Sequence, residues 1–275
     1  MQRTSGTPDV VIALIDGPVA LGHPDLESHK IRSVGAAPPA ACASSASAAC
    51  IHGTYIAGIL CARRSSVAPA ICPGCTLLLH PIFTEGGTGR DRPPSATPDQ
   101  LAAAVVAVVQ AGARVVNLSV GLSGSYSAVG ERGLENAFNY AASRGAICVA
   151  AAGNEGTVGG SSLIRHTAVI PVAGCDSYGW LAPSSNLGTS IGVRGLRAPS
   201  EVPSLSSGGG PSISGTSVSA ALVTGAIALL WSEFPRAAAG AVRAAITRLG
   251  LAGKRTLVPP LLDAWGAYEA MAAGA

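Results

Sequence analysis

ARVVNLSV (Ala113–Val120) decides the fold together with AICVAA (Ala146–Ala151), which follows it after one helical segment. Both runs are short and almost continuously apolar, which is typical of strands that are buried on both faces. The segment between them, Glu131–Arg144, has the length and composition of a helix. Because parallel strands need a crossover connection and a helix usually provides it, the sequence predicts a right-handed βαβ unit here.

The same alternation continues on both sides of this unit. Further runs of strand type are Asp9–Ile15, Cys75–Ile82 and Ala168–Ala173, and further helical candidates are Gly53–Ala62, Pro98–Ala111, Thr216–Glu233 and Ala237–Leu249. This pattern predicts an α/β protein of three layers, in which a mostly parallel, twisted sheet carries helices on both faces.

Three segments interrupt the alternation and are predicted to be surface insertions. They are the Ala/Ser/Pro-rich segment Gly35–Ala49, the segment Thr84–Thr97 with its GGTGRDRPP run, and Ser204–Pro211 with its SSGGG run. No linker divides the chain, so we expect a single domain over residues 1–275, a length that one α/β domain can have.

The composition excludes several classes of protein. Hydrophobic residues make up 48% and charged residues 12% of the chain, which rules out disorder driven by charge. A net charge of +3 and an aromatic content of 4% are too low for a nucleic-acid-binding surface. No apolar stretch approaches the roughly 20 residues of a membrane-spanning helix. We therefore expect neither a nucleic-acid partner nor a membrane.

The N-terminal residues and the cysteines bear on the cellular compartment. Met1–Pro8 is polar and lacks the apolar core of a signal peptide. A cytoplasmic protein is therefore expected, with a secreted one as the alternative if the sequence is a trimmed mature form. The chain has 7 cysteines, which cannot all pair with one another, and mostly reduced thiols are expected. Cys42 and Cys50 bracket the tip of an insertion and could pair in an oxidising compartment.

A second cysteine pattern is Cys72-Pro-Gly-Cys75, which has the spacing of a metal knuckle or a redox pair. No second C-x-x-C occurs that would complete a zinc site, so no metal site and no cofactor are expected. Cys61, Cys148 and Cys175 lie among apolar residues and are expected to be buried as small hydrophobic side chains.

Polar side chains occur where the predicted strands end. Asp16 follows DVVIALI, Ser119–Gly121 ends the run ARVVNLSV, and Asn154 follows AICVAAAG. Ligands of open parallel sheets bind outside the carboxyl ends of the strands. Two helical segments also begin with reactive side chains, His52 in HGTYIAGIL and Ser217 in GTSVSAALV. A helix N-terminus favours developing negative charge nearby.

These residues have the chemistry of a nucleophile, a base and an orienting acid. His52 would take the proton of the Ser217 hydroxyl while Asp16 holds the imidazole in the correct tautomer. Asn154 could donate a hydrogen bond to the oxyanion that forms.

One competing nucleophile is Ser190 in GTSIG, which matches the G-x-S-x-G elbow of another enzyme class. We predict that Ser190 is not a nucleophile, because no helix is expected after it and no histidine follows it in the chain. The remaining histidines are expected to be loop or packing residues, and they are His23, His29, His80 and His166.

Five sequence blocks accompany the proposed catalytic residues in chain order: IDGPVALGHPDL, HGTYIAGI, VVNLSVG, AAGNEG and SGTSVSAALVTGAIALL. Together they resemble the subtilisin-like serine proteases over nearly the whole chain. The resemblance implies the fold of that family and a serine endopeptidase that forms an acyl-enzyme intermediate. It places Asp16, His52 and Ser217 on the catalytic triad and Asn154 on the oxyanion donor.

The resemblance also implies a peptide or protein substrate. We expect an extended peptide to bind beside Leu118–Leu122 through main-chain hydrogen bonds, as an added strand. The candidate substrate-binding residues are Ser119, Val120, Gly121 and Gly153.

Two further blocks, DGPV (16–19) and APAICPGCTLLLHPIF (68–83), are similar to the branch of this family that matures cyanobactin and related ribosomal peptides. This similarity implies removal of a leader from a ribosomally made precursor. The alternatives are a generic secreted or intracellular subtilase and a non-catalytic peptide-binding pseudoprotease. An esterase of the α/β-hydrolase type is disfavoured by the order of the catalytic residues.

Some positions depart from the family pattern. Tyr55 stands where the family often has a second histidine, and Ala221 stands where a proline often follows the nucleophile motif. Asp25 matches an acidic position that helps to hold calcium in some members. We expect no calcium there, because the loop CARRSSVAPA (61–70) carries two arginines that would oppose a cation.

Overall fold

The computed structural model describes residues 3–27, 30–35, 40–66, 68–85, 95–122, 127–206, 212–248 and 256–274. Its strands are β1 (Val11–Asp16), β2 (Ile31–Ser33), β3 (Thr76–Pro81), β4 (Ser95–Ala96), β5 (Val115–Leu118), β6 (Gly121–Leu122), β7 (Ile147–Ala151), β8 (Val169–Cys175) and β9 (Leu196–Pro199). Seven of them form one parallel sheet in the order β2-β3-β1-β5-β7-β8-β9, and β4 pairs with β6 in a separate parallel pair.

The helices cover both faces of the sheet. They are α1 (Ala48–Cys61), α2 (Pro98–Gln110), α3 (Ala128–Ser143), α4 (Ser162–Arg165), α5 (Thr189–Arg194), α6 (Thr216–Glu233), α7 (Ala239–Arg248) and α8 (Ala264–Ala273). Along β1, Ile12 and Leu14 join the apolar core that contains α1 and α6, whereas Ala13 and Ile15 join the core that contains α2 and α3. The predicted three-layer α/β fold is therefore confirmed.

Helix α6 is an interior helix of the fold. Its buried residues lie all around its circumference, which is typical of a helix enclosed by protein. Within the described part of the chain it is also the one helix long and apolar enough to cross a membrane, and 72% of it is buried inside the protein. A core helix passes the same test, so this finding is weak evidence for a membrane segment.

Local hydrogen bonds explain where the helices begin. Thr97 and Gln100 form a capping box that starts α2 where the sequence predicted it. Ser47 Oγ accepts from the Cys50 N–H and starts α1 earlier than the predicted Gly53. That prediction was wrong because the capping serine belongs to a low-complexity segment that was read as an insertion.

The sequence missed the edge strands β2 and β9, the short pair of β4 and β6, and the helices α4, α5 and α8. Both edge strands are short and carry an arginine, Arg32 or Arg197, so their apolar pattern is weak. Parts of the three predicted insertions, residues 36–39, 86–94 and 207–211, lie outside the described residues. The prediction of one domain over residues 1–275 stays a prediction.

The cysteines divide into one disulfide and five free thiols. Cys42 is bonded to Cys50, which is the pairing that the sequence left open. The free cysteines are all buried, and they are Cys61, Cys72, Cys75, Cys148 and Cys175.

Candidate active site

Asp16, His52 and Ser217 belong to three elements that meet at the carboxyl edge of the sheet. Asp16 is the last residue of β1, His52 is the fifth residue of α1, and Ser217 is the second residue of α6. The expectation that His52 opens its helix was wrong, because α1 begins about one turn earlier. His52 and Ser217 line one cleft of about 670 Å³, and Asp16 is fully buried beside His52.

A short hydrogen bond joins Asp16 to His52. His52 Nδ1 lies 2.6 Å from Asp16 Oδ1, and the Gly17 N–H donates to the same oxygen, also at 2.6 Å. Because a carboxylate can only accept, Nδ1 carries the proton and Nε2 is left as the basic nitrogen. The Asp16 side chain is 0% exposed and the His52 side chain is 19% exposed, so the acid is shielded from water while the base remains accessible.

The pKa of His52 results from two opposing effects. Burial by itself would lower this pKa, but the negative charge of Asp16 and the hydrogen bond to it together outweigh burial. The pKa of His52 is therefore raised above its ordinary value of 6.5. The neutral form that can act as a base is consequently reached at a higher pH than for a free imidazole.

Two glycines allow the Asp16–His52 contact to form. A Cβ on Gly17 would collide with the Ala49 carbonyl oxygen, and a Cβ on Gly53 would collide with the Pro18 carbonyl oxygen. Helix α1 therefore touches the chain directly after β1 along its backbone. This close approach brings His52 within hydrogen-bond distance of Asp16 and explains the glycine that follows each of these two residues.

Asn154 is bonded to the N-terminus of the helix that carries Ser217. Its Oδ1 accepts from the Thr216 N–H at 2.8 Å, which leaves the Nδ2 group as a donor. Gly215 precedes the helix with a φ of +137°, a conformation that favours glycine, and its backbone packs against the Asn154 amide. Ser217 itself lies in the first helical turn, where backbone N–H groups have no intrahelical acceptor.

A buried polar network joins β5 to the same helix. The Thr224 hydroxyl donates to Asn117 Oδ1 at 2.9 Å, and Asn117 Nδ2 donates to Ser119 Oγ at 2.8 Å. Ser119 Oγ in turn donates to the Ser217 carbonyl oxygen at 3.4 Å. The network therefore fixes the first turn of α6 against the end of β5, a structural role for Ser119 that the sequence did not indicate.

Tyr55, one of the two departures from the family pattern, links α1 to the chain that precedes α6. Its hydroxyl donates to the Val202 carbonyl oxygen at 2.6 Å and lies 3.0 Å from Ser212 Oγ. Since Ser212 lies shortly before Ser217, Tyr55 ties the helix that carries His52 to the segment that leads into the nucleophile.

All the predicted substrate-binding residues line the cleft, together with Asn154. The cleft also contains residues that sequence reasoning missed, among them Phe83, Glu155, Thr157, Ser161, Leu163, Asn186, Ile213 and Thr216. Glu155 and Thr216 lie inside the blocks AAGNEG and SGTS, so those blocks could have indicated them. Leu163 and Asn186 lie in segments that carry no motif.

Ser190 lies inside the short helix α5, which corrects the expectation that no helix accompanies GTSIG. It is absent from the described lining of the cleft, and the preceding strand, β8, ends well before it, at Cys175. Two histidines outside the cleft, His23 and His166, have local partners. His23 Nδ1 accepts from the Asp25 N–H at 3.1 Å, and the His166 ring packs against Phe138 at 5.2 Å between centroids.

His80 lies on β3, and His29 is outside the described residues. One cluster among the described residues, Cys42, Cys50 and Glu85, has the spacing of a metal site, but the disulfide occupies both of its sulfur atoms. The Asp25 carboxylate, which the sequence analysis considered as a calcium ligand, accepts from the Ser66 hydroxyl at 3.0 Å.

Comparison with known proteins identifies the class. Residues 7–254 match the Subtilase family (Peptidase_S8), so the chain belongs to this family of subtilisin-like serine endopeptidases. The thermophilic serine proteinase of Bacillus sp. (strain AK1) is 31% identical over 233 residues, which cover 84% of this chain and 54% of the relative. The chain thus spans about half the length of that proteinase.

Solved structures of one particular protease, PatA, are similar along their whole length. A mutant of the protease domain of PatA aligns with a TM-score of 0.88 and 29% identity, over 100% of this chain and 99% of that chain. The patellamide maturation protease PatA aligns with a TM-score of 0.80 and 28% identity, over 98% of this chain and 99% of that chain.

Proposed function

We propose that this subtilisin-like endopeptidase works through Ser217 as the nucleophile, His52 as the base and Asp16 as the orienting acid. The observation that carries the proposal is the 2.6 Å hydrogen bond between Asp16 and His52, beside a cleft that also contains Ser217 at a helix N-terminus. Membership of the subtilase family supports it.

The first half of the reaction forms an acyl-enzyme. His52 Nε2 accepts the proton of the Ser217 hydroxyl as that oxygen attacks the carbonyl carbon of the scissile peptide bond. Buried Asp16 stabilises the imidazolium that results. His52 then donates this proton to the leaving amine, and the peptide bond breaks. A water molecule, deprotonated by His52, hydrolyses the ester in the second half and frees Ser217.

Negative charge develops on the carbonyl oxygen of the substrate in each half. We assign its stabilisation to Asn154 Nδ2 and the Ser217 backbone N–H. The Thr216 N–H bond holds the other end of the Asn154 amide, so the donor is oriented before the substrate arrives. Such preorganised donors lower the barrier because they need no rearrangement as the charge forms.

The proposed substrate is an extended peptide, and the proposed role is the removal of a leader from a ribosomally made precursor. Ser119, Val120 and Gly121 line the cleft and offer main-chain groups to such a peptide. The similarity to the solved chains of PatA, a patellamide maturation protease, supports this role over that of a generic subtilase.

The catalytic assignment is tested with a matched pair of serine variants. Ser217→Ala should abolish peptide hydrolysis and labelling by a fluorophosphonate probe, with an unchanged circular dichroism spectrum. Ser190→Ala should retain both peptide hydrolysis and labelling by the probe, because Ser190 lies in α5 and is absent from the described lining of the cleft. Turnover by the Ser217 variant would refute the assignment. If the wild-type protein binds peptide but does not react with the fluorophosphonate probe, the pseudoprotease is favoured instead.

The substrate is tested by mass spectrometry of the products. Precursor peptides encoded beside the gene should be cut at one position, between leader and core, while unfolded casein should be cut slowly. Rapid cleavage of casein at many positions would support a generic subtilase.

A cytoplasmic location is also part of the proposal. It is supported by the five buried free thiols, whereas the Cys42–Cys50 disulfide is the feature expected of the secreted alternative. Cell fractionation with an antibody against the chain distinguishes the two.

A further inference from the structure

Asn186 is a buried asparagine outside the catalytic motifs. It lies between β8 and α5 and is 8% exposed. Its Oδ1 accepts from the Glu155 N–H at 3.2 Å, the Thr157 N–H at 3.0 Å and the Thr157 hydroxyl at 3.2 Å. Its Nδ2 donates to the Ala152 carbonyl oxygen at 3.3 Å and to Glu155 Oε2 at 2.5 Å.

These partners lie on both sides of Asn154. The backbone N–H of Asn186 adds a bond to the Gly153 carbonyl oxygen at 3.0 Å. The chain from Ala152 to Thr157 therefore curves around the side-chain amide of Asn186. This amide forms hydrogen bonds with backbone groups of the loop before and after Asn154, the oxyanion donor. A side chain with this many bonds to one loop holds that loop in a single conformation.

The Asn186 side chain also packs closely against the backbone of this loop. Gly153 has a φ of +106°, and a Cβ at this position would collide with Asn186 Nδ2. The glycine before Asn154 is thus needed both for its conformation and for the space that Asn186 occupies. The loop and the Asn186 amide form one packed unit.

We infer that Asn186 is a positioning residue for oxyanion stabilisation. Asn154 is exposed, and the side-chain bond recorded for it is the one that its Oδ1 accepts from Thr216. The position of its Nδ2 donor therefore depends on this bond and on the backbone of its own loop, which Asn186 fixes. This inference rests on the proposed function, since it assumes that Asn154 stabilises the oxyanion.

The experiment is a double-mutant cycle on kcat and KM. Asn154→Ala should lower kcat by about 10² to 10³, the range found for such a donor in a subtilisin, with KM little changed. Asn186→Ala should lower kcat by about tenfold or more, again with little change in KM. In the Asn154→Ala background, Asn186→Ala should lower kcat by less than about twofold, because the donor that it positions is gone.

Thr76→Val is the matched control, since Thr76 is 4% exposed and its hydroxyl donates to the Pro8 carbonyl oxygen at the opposite end of the sheet. This variant should lose stability and keep its kcat in both backgrounds. If Asn186→Ala does not fold, Thr157→Val takes its place, because it removes one donor to Asn186 Oδ1. It should lower kcat by about twofold to threefold, and only while Asn154 is present.

The inference is overturned if the Asn186 and Asn154 effects on kcat multiply, if the Asn186 effect falls on KM, or if kcat does not change. These results differ from a failure of the proposed function, in which the wild-type enzyme would not react with the fluorophosphonate or Ser217→Ala would remain active.

Discussion

At the scale of single residues, the charge state of His52 controls both activity and stability, in opposite directions. The base must be neutral, and Asp16 raises the pKa of His52 above 6.5. We therefore expect kcat/KM to rise about tenfold for each pH unit below that raised pKa and to level off above it. A pH profile of the hydrolysis of a neutral peptide measures this, and a flat profile through the neutral range contradicts it.

The contribution of His52 to the stability of the fold should decrease as the pH rises, whereas activity should increase. Because the pKa of His52 is higher in the folded protein than the ordinary 6.5 of an unfolded chain, the folded state binds the proton more tightly. The protonated His52–Asp16 pair thus stabilises the fold fully below pH 6.5, and this contribution is lost as the pH rises through the raised pKa. The Tm of the wild type minus that of His52→Ala should therefore shrink as the pH rises from 6.5 through the raised pKa of His52. A growing difference would show that the pKa is lowered.

At the scale of secondary-structure elements, the contact between α1 and the chain after β1 sets the geometry of the catalytic pair. We expect Gly53→Ala to reduce kcat/KM strongly, because the new Cβ collides with the Pro18 carbonyl oxygen and pushes α1, with His52, away from Asp16. The measurement is the kinetics of the variant together with its Tm.

Gly133→Ala on α3 is the control for this substitution. A Cβ at Gly133 would meet its nearest atom at 3.6 Å, so the change should stabilise the helix by about 0.5–1 kcal/mol and leave the kinetics unaltered. Unchanged activity in Gly53→Ala would show that α1 can shift without moving His52.

The elements also show what the sequence could and could not predict. The buried strands and α6 were predictable, because they carry long apolar patterns. Asp16 and Asn154 were expected where strands end, and the structure places Asp16 at the last residue of β1 and Asn154 after β7. The true start of α1 could not be predicted, because the single capping residue Ser47 is its signal. Asn186 could not be predicted either. Its role depends on two loops that are distant in sequence and meet only in the folded protein.

At the scale of the whole molecule, activity should not depend on a bound metal. The carboxylate of Asp25 is bonded to the Ser66 hydroxyl, and Arg63 donates its backbone N–H to the Asp25 carbonyl oxygen. We expect kcat/KM and Tm to be the same before and after dialysis against EDTA. A loss of activity that added calcium restores would overturn this expectation.

The enclosed position of α6 has a consequence for how such a protease fails. The nucleophile stands on the first turn of a helix whose buried residues belong to the apolar core that also contains α1, so unfolding of that core takes the nucleophile out of the site. An unfolded molecule loses its activity and becomes a substrate for the molecules that are still folded. Inactivation on heating should then accelerate with enzyme concentration, and the survivors at any moment should retain full specific activity.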